Sequence, residues 1–451
     1  MSFHKQFTGF CLSLFALLVT IFTAQTTHAA TLDVDPFVGT DGGTCIGAPC
    51  QTIGYALSQA AAGDTINLAA GTYHDPNDYG LVIDTEVVIR GAGRGLTTIN
   101  AEGLDRHFTV AAGVPRARVR DLTLTNGLAL GNFGGSIWVL AGVDFDLMNV
   151  EINNTTGYDG GAIACQLCAR MDIDDSIFVG NSAARFGGAI YMSGSTTTVD
   201  INRSEFNLND ADSGGAIYKL NGRIIVEDSS FASNNANNGS GGAIYSHTSN
   251  LNVGRSLLTA NTAALGNGGG IYVVGEGVFK LFNSTLSNNS AAAGGGLSIH
   301  DSVEALTASN TFYGNEATFG NSGGAIQSST STDFLMTNSI ISSSVGADCL
   351  ITGGLYPRGK HNFLDDATCY NVVPPVNFLL GLAVVGVDID PVLQNNGGLT
   401  ETHMLPAGSA AIDQGFNNCP HPFLLIPLSH DQRNQPRSLG VPCDVGAVEV
   451  Q

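Results

Sequence analysis

The sequence is poor in charged residues, and above all in basic ones. Only 13% of its 451 residues are charged, and 18 Lys and Arg stand against 39 Asp and Glu, for a net charge of -21. Such an acidic chain repels nucleic acid and anionic membranes, so neither is an expected partner. The acidity favours solubility. Binding of Ca²⁺ is the alternative, but no Asp-rich loop has EF-hand or RTX spacing, and we predict no metal site and no cofactor.

Long hydrophobic runs are also lacking. The apolar run at residues 10–22 is too short to cross a bilayer, and no later run is long enough to do so. It follows His4 and Lys5 and precedes the small residues around Ala29, which is the pattern of a secretory signal. We therefore expect residues 1–29 to be a signal peptide and the mature chain to be secreted or displayed on a cell surface, without a transmembrane segment.

Cysteine is infrequent, and its positions along the sequence fall into pairs. Cys11 lies in the predicted signal, and the other eight form neighbouring pairs: Cys45/Cys50, Cys165/Cys168, Cys349/Cys369 and Cys419/Cys443. An even number in an exported chain predicts disulfides. The Cys165/Cys168 pair would also suit half a zinc site or a redox pair, but no second Cys or His pair accompanies it. A disulfide there requires a bend at Gln166 and Leu167.

Glycine, with 58 residues, is abundant and marks a repeat. Gly-Gly-Ala-Ile begins at residues 160, 187, 214, 241 and 323, and looser copies begin at 134, 268 and 294. The closing aliphatic residues are separated by 26 to 29 positions. A period this regular is typical of a solenoid.

A second phrase, Phe-x-x-Asn, lies between the first. It begins at Phe178, Phe206, Phe231 and Phe312, and apolar residues precede each copy at alternate positions. Alternation with period 2 predicts strands rather than helices. The predicted fold is all-β, a right-handed parallel β-helix of about ten coils. We divide the chain into the signal at 1–29, an N-terminal cap at 30–64, repeats at 65–344, and a disulfide-pinned C-terminal cap or small extra lobe at 345–451. Within the N-terminal cap, residues 52–61 have helical periodicity, and we expect a helix with Thr52 as its N-cap and Gly63 at its end.

Stacking the repeats in register produces columns of like residues. The residue after each repeat's Ile is Tyr191, Tyr218, Tyr245 and Tyr272 in four consecutive coils. If the Ile points inward, these tyrosines point outward and offer a ligand-binding face for sugar rings or a protein. The alternative is that they stack on one another and stiffen the sheet. A column of Asn and a column of alternating Asp and Arg predict ladders that fix the register.

An acidic cluster is the candidate for catalysis. Asp172, Asp174, Asp175 and Asp200 lie close to Arg203, and enzymes that cleave acidic polysaccharides use clustered carboxylates with a basic residue nearby. The Asp-Asp, Gly-His-Gly and Arg-Ile-Lys motifs of the pectin hydrolases are absent, so we assign no catalytic residue and keep these five as the alternative. Six polar residues near the C-terminus could resemble a catalytic set, but we predict that they form a buried structural network: His403, Asp413, Asp431, Arg433, Arg437 and Asp444.

Three stretches resemble known families. The two repeated phrases resemble those of chlamydial polymorphic outer-membrane proteins, and residues 50–73 resemble the opening of pectate-lyase-like β-helices. The C-terminal region resembles the choice-of-anchor Q domain at Asp390, Asn396, Thr402, His403, Ala411, Asp413, Asp431, Arg433, Arg437, Asp444 and Glu449. Asn434 stands where that family usually has Gly. The resemblance implies a bacterial, surface-displayed or secreted β-helix that is often adhesive.

We therefore expect a rod that acts by recognition or adhesion, without catalysis, on a carbohydrate or a cell-surface ligand. One alternative is a polysaccharide-active enzyme, either a lyase or a glycoside hydrolase. Another is a purely structural envelope protein. A cleft with converging carboxylates and a base would indicate the enzyme, whereas a flat aromatic or polar face would indicate the binding rod.

Overall fold

The computed structural model describes residues 29–450, except for 249, 302, 321, 330–332, 353–357, 367, 371–381, 385–386, 417–418, 420–426 and 438–441. Nearly all of the predicted signal segment lies outside these residues. Within the described part, no helix combines the length and the apolar character needed to cross a membrane.

The chain forms an all-β, right-handed-type parallel β-solenoid of about 11 turns, which confirms the predicted fold class. Its strands form three sheets, and each strand pairs in parallel with its equivalent in the next coil. The first sheet has two rows per coil, separated by a bend, and the strands Arg116–Thr125 and Asp144–Asn153 run through both rows.

The first row of the first sheet also contains Thr31–Val34, Thr65–Leu68, Val87–Arg90, Arg170–Asp174, Thr198–Asn202, Arg223–Glu227, Asn250–Gly254, Gly277–Phe282, Val303–Ala308, Asp333–Thr337 and Arg358–Lys360. Its second row contains Gly71–Tyr73, Thr97–Asn100, Ile177–Val179, Glu205–Asn207, Ser230–Ala232, Leu257–Thr259, Thr285–Ser287, Thr311–Tyr313, Ile340–Ser342, Asn362–Leu364 and Leu382–Val384. The second sheet contains Leu81–Ile83, Phe108–Val110, Ile137–Val139, Ile163–Gln166, Ile190–Ser193, Ile217–Leu220, Ile244–His247, Ile271–Val274, Leu297–Ile299, Gly323–Ser329 and Ala347–Thr352. The third contains Leu128–Phe133, Thr156–Asp159, Ser182–Phe186, Asp210–Ala211, Asn235–Ala236, Thr262–Asn267, Ser290–Ala293 and Glu316–Ala317.

The core consists of columns of identical or similar side chains. Ile190, Ile217 and Ile244 are register partners in successive strands and are fully buried. The rings of Phe178 and Phe206 stack with centroids 4.7 Å apart and planes within 3°, and the next ring along repeats this geometry. Because each strand presents alternate residues to the inside, the repeated pattern closes one continuous apolar core.

The glycine pair of each repeat allows neighbouring coils to approach closely at the turn between the third and second sheets. Gly187 has φ +67, a conformation that glycine adopts without strain. A Cβ on Gly188 would lie 2.1 Å from the carbonyl oxygen of Gly215 in the next coil. The two positions therefore need glycine for different reasons, the first for its backbone angle and the second for space.

The predicted asparagine ladder is present and fully buried. Its members are Asn181, Asn209, Asn234, Asn261, Asn289 and Asn315. In each step, the side-chain Nδ2 and the backbone N–H of one Asn donate to the Oδ1 of the next, as Asn209 does to Asn234 with both bonds at 3.0 Å. The ladder supplies partners for the backbone groups left unpaired at the bend.

A second ladder, which sequence reasoning missed, lies at the bend within the first sheet. Each serine hydroxyl accepts from the backbone N–H of the preceding coil's serine, as Ser204 Oγ does from Ser176 at 3.1 Å. The members are Ser176, Ser204, Ser229, Ser256 and Ser284. The signal was available in the sequence, because each serine directly follows the predicted column of alternating charges.

The N-terminal part contains the predicted helix, which is shorter than expected. It spans Ile53–Gln59, with Thr52 as N-cap, and it buries Ile53 and Ala56 against the core. Ala60 is already extended, so the helix ends before the predicted Gly63. The strand Thr31–Val34 pairs with Thr65–Leu68, so the solenoid begins inside the segment assigned to the cap.

The C-terminal part of the chain continues the sheets and then packs against them. The sheets continue past residue 344, through Ala347–Thr352 and on to Leu382–Val384, although the Gly-Gly-Ala-Ile phrase has ended. The described residues of 387–450 contact the side of the rod: Leu405 and Val445, for example, pack with Ile340 and Phe363 of the first sheet. We call residues 387–450 the lateral lobe.

All four predicted disulfides are present. They join Cys45 to Cys50, Cys165 to Cys168, Cys349 to Cys369, and Cys419 to Cys443. The Cys165–Cys168 bond closes over the expected bend, where Leu167 has φ +61. Cys369 lies in the short 3₁₀ helix Thr368–Tyr370, so the third disulfide joins that helix to the second sheet.

Candidate functional site

The four predicted ligand-binding tyrosines do form one column on the outer face of the second sheet. Tyr191 and Tyr218 are 7% and 9% exposed, while Tyr245 and Tyr272 are half-buried. The ring centroids of Tyr218 and Tyr245 are 4.5 Å apart with planes 12° apart, and the ring of Tyr272 follows at 5.0 Å. Burial raises the pKa of all four hydroxyls, and that of Tyr272 reaches about 12.

Stacking leaves little of these rings for a ligand. The ring of Phe186 stacks on Tyr218 with centroids 4.2 Å apart, and the guanidinium of Arg185 lies 4.5 Å from the centre of Phe186. Sugar rings bind aromatic side chains through the ring face, and here the faces lie against neighbouring rings. The column therefore matches the self-stacking alternative in geometry, and its ligand-binding role stays a prediction limited to ring edges and hydroxyl groups.

The acidic cluster is brought together on the outer face of the first sheet, but arginines hold its carboxylates. Arg170 Nε lies 2.6 Å from Asp172, and its Nη2 lies 3.0 Å from Asp200. Arg203 pairs with Asp175 at 2.8 Å and with Asp174 at 3.2 Å.

The Arg203–Asp175 pair belongs to the predicted column of alternating charges, which Arg255 and Asp228 repeat at 2.8 Å. The members of this column also share a positive φ, such as +50 at Asp175 and +47 at Arg203. The ion pairs thus stabilise a strained bend and fix the register.

Asp200 differs from the rest of the cluster. One of its oxygens, Oδ1, is buried and makes no hydrogen bond within the described part of the chain. Burial raises the pKa of Asp200, Arg170 lowers it, and the neighbouring Asp172 raises it further. A carboxyl group that resists ionisation is the kind of group that acts as a general acid.

A polar surface adjoins Asp200 and was not singled out from the sequence. We call it the polar face, and it consists of Thr198, Arg223, Asn250, Asn252 and Lys280. These residues come from four successive strands of the first row, in which Thr198, Arg223 and Asn250 are register partners. Asn252 and Lys280 are also register partners, two positions further along strands of the same row.

Two depressions lie along the polar face, and Arg223 and Asn250 line both of them. The first is about 340 Å³ and is also lined by turn residues such as Asn221 and Thr248. The second is about 190 Å³ and is also lined by Asn252, Val278 and Lys280. Arg223 is exposed and makes no ion pair with another described residue. The signal in the sequence was weak, because the polar face does not repeat from coil to coil.

The polar residues of the lateral lobe form the predicted structural network. Arg437 is fully buried, pairs with Glu449 at 3.1 Å and donates to Asn283 of the solenoid at 2.9 Å. His403 contacts Ser287 of the solenoid at 2.9 Å. These groups join the lobe to the rod, which explains their burial without a catalytic role. Among the residues that the structure describes, no group of three or more His, Cys, Asp or Glu is arranged to hold a metal ion.

Comparison with known proteins gives a short family match and distant structural similarity. Residues 175–193 match the Chlamydia polymorphic membrane protein repeat. No curated protein matches. The solved structures include pectate lyase Pel9A, with 16% identity, TM-score 0.45, and coverage of 94% of this chain and 96% of that one. They also include the PL6 family alginate lyase AlyGC, with 14% identity, TM-score 0.42, and coverage of 83% of this chain and 55% of that one. XylC in complex with xylose has 9% identity, TM-score 0.47, and coverage of 93% of this chain and 98% of that one. At these scores, the similarities carry no argument about activity.

Proposed function

We propose that the chain is an exported rod that binds an extended acidic polysaccharide along its polar face without cleaving it. The observation that carries the proposal is the pair of adjoining depressions that share Arg223 and Asn250. Amides and hydroxyls line them together with two cations, on a protein whose net charge is -21. Such groups bind sugar hydroxyls and the carboxylates of an acidic glycan.

The geometry of the solenoid suits a polymer. Successive coils are about 4.8 Å apart, so the polar face presents a new side chain at intervals comparable to one sugar unit. The four disulfides support export, because such bonds persist in oxidising compartments. The ion pairs of Asp172, Asp174 and Asp175 support binding over catalysis, since carboxylates neutralised by arginine are poor general bases.

Replacing Arg223 by Ala should weaken binding to polygalacturonate or alginate at least tenfold, or about 1.4 kcal/mol, because it removes the cation shared by both depressions. Binding of the unaltered chain should also weaken with rising salt. The affinity is measured by isothermal titration with polymers of defined length. Arg116→Ala is the matched control, because Arg116 lies in the same row but pairs with Asp146 at 2.6 Å. Equal losses in both variants would contradict the polar face.

The tyrosine column is the other location for the same ligand. If stacking is its role, Tyr272→Ala should lower the melting temperature by a few degrees and leave the affinity within twofold. Loss of binding in Tyr272→Ala, with Arg223→Ala unaffected, would move the site to the column.

Catalysis on an acidic polysaccharide is the second candidate function, and the buried Oδ1 of Asp200 favours it. In that case, Asp200 would protonate the leaving sugar oxygen, beside a chain bound at Arg223. Release of reducing or unsaturated chain ends, abolished in Asp200→Asn, would support the enzyme over the binding rod.

A further inference from the structure

A separate depression of about 450 Å³ lies at the N-terminal end of the rod, remote in sequence from the polar face. Its lining includes Phe37, Gln51, Thr72, His74, Asp75 and Asp78. This volume falls within the range of small-molecule sites. The depression combines one aromatic ring with several polar side chains, and its lining comes from three chain segments, at residues 36–37, 51–52 and 72–78.

The aromatic ring is exposed, and its backbone is held by hydrogen bonds. Phe37 is 76% exposed, an unusual fraction for a phenyl ring. Its ring approaches Gly71 so closely that a Cβ there would lie 2.8 Å from the ring edge. The backbone N–H of Phe37 donates to Asp35 Oδ1 at 2.8 Å. The backbone N–H of Asp35 in turn donates to the carbonyl oxygen of Cys50, which belongs to the first disulfide. The ring thus presents an apolar surface to solvent beside the depression.

Hydrogen bonds hold the two carboxylates that line the depression. Asp78 Oδ1 accepts from the backbone N–H of Ile53 at 2.9 Å, and its Oδ2 accepts from Asp75 at 3.1 Å. Asp75 in turn accepts from the backbone and the side chain of Asn77 through a single oxygen, Oδ1. The second oxygen of Asp75 therefore remains available to a ligand at the rim.

We propose that this depression binds one neutral pyranose unit, with the sugar ring lying on Phe37. The exposed side chains of Gln51, Thr72 and His74 and the second oxygen of Asp75 are the donors and acceptors that sugar hydroxyls require. The two carboxylates of Asp75 and Asp78 disfavour an acidic sugar. The N-terminal site thus differs in ligand from the polar face and does not depend on it.

Saturation-transfer NMR of the intact chain with a panel of neutral and acidic oligosaccharides tests this site. Neutral sugars should receive saturation at their ring protons, and Phe37→Ala should lower the affinity at least tenfold. Gln51→Ala should lower it less, through loss of a hydrogen bond. Because Phe37 is exposed, its replacement should leave the melting temperature within about 2 °C.

Phe319→Ala is the matched control, since that phenyl ring is 60% exposed elsewhere on the rod. Arg223→Ala should leave neutral-sugar binding intact, which separates this proposal from the polysaccharide site. The proposal is overturned if no neutral sugar binds at millimolar concentration, if Phe37→Ala and Phe319→Ala behave alike, or if acidic sugars compete better than neutral ones.

Discussion

Replacing Asn234 by Ala should destabilise the protein by about 4 kcal/mol, because it breaks the buried asparagine ladder at its centre. Four hydrogen bonds disappear together. Asn234 Oδ1 accepts from the backbone and the side chain of Asn209, while Asn234 Nδ2 donates to the carbonyl of Phe206 at 2.8 Å and to Asn261 at 2.9 Å. The groups that lose a bond lie in a dry environment, where an unpaired group costs about 1–3 kcal/mol before relaxation. Two partners keep one bond each, since Asn209 Nδ2 still donates to the carbonyl of Phe178 and Asn261 Oδ1 still accepts from the backbone N–H of residue 234.

Thermal unfolding followed by circular dichroism measures this loss. Asn237→Ala is the control, because Asn237 is an exposed asparagine on the same coil. We expect the Asn237 variant to melt within about 1 °C of the unaltered chain. Similar melting of both variants would show that the ladder contributes to register alone and not to stability.

Replacing Lys219 by Met should stabilise the protein at neutral pH. Lys219 is fully buried in the second sheet, where its neighbours in register are Met192 and Ser246. Its Nζ donates to Ser246 Oγ at 3.0 Å. Burial lowers the pKa of Lys219 to about 7, against an ordinary value of 10.5. Methionine has a similar length and removes the need to bury an amine.

The effect should depend on pH in a defined direction. Between pH 7 and about 10.5, the unfolded chain holds a proton on Lys219 that the folded chain does not, so stability rises with pH across this window. Below pH 7, both states are protonated and the penalty is complete, at about 3–5 kcal/mol. Lys219→Met should therefore gain several degrees in melting temperature at pH 6 to 7, and progressively less towards pH 10.

Lys280→Met serves as the charge-matched control, since it removes the same charge from the outer face. Melting curves at pH 6, 8 and 10 should show the pH-dependent gain in the Lys219 variant alone. A loss of stability at pH 7 in Lys219→Met would contradict this account, because it would mean that the buried amine stabilises the folded chain despite the cost of its burial.

Much of the fold followed from the sequence because the repeat is nearly exact. Alternating apolar residues, the glycine pair and the Phe-x-x-Asn phrase each correspond to one structural element, and stacking in register extends that correspondence to the asparagine and charge columns. The limits of the solenoid were harder to predict. The strands Thr31–Val34 and Leu382–Val384 belong to its sheets but lack the repeated phrases. Their place depends on pairing with neighbouring coils, which no local pattern reveals.

The candidate site was predicted less well, for a physical reason. The repeat identified the tyrosine column and the acidic cluster, because both follow the period. It did not show that the rings occlude one another or that Arg170 bridges Asp172 and Asp200. Nor did it show the polar face, whose members Thr198, Arg223 and Asn250 are unlike side chains at equivalent positions. The regular repeat identified the fold, but the polar face lies where the repeat varies from coil to coil. The repeat therefore gave no indication of this site.

The most direct test of the central claim is to titrate the intact chain with an acidic polysaccharide and to follow bound polymer and new chain ends in the same sample. A rod that binds without cleaving predicts saturable binding that weakens with salt, and no new ends over many hours. New ends that accumulate with time, or no binding to any acidic polymer at low salt, would contradict it.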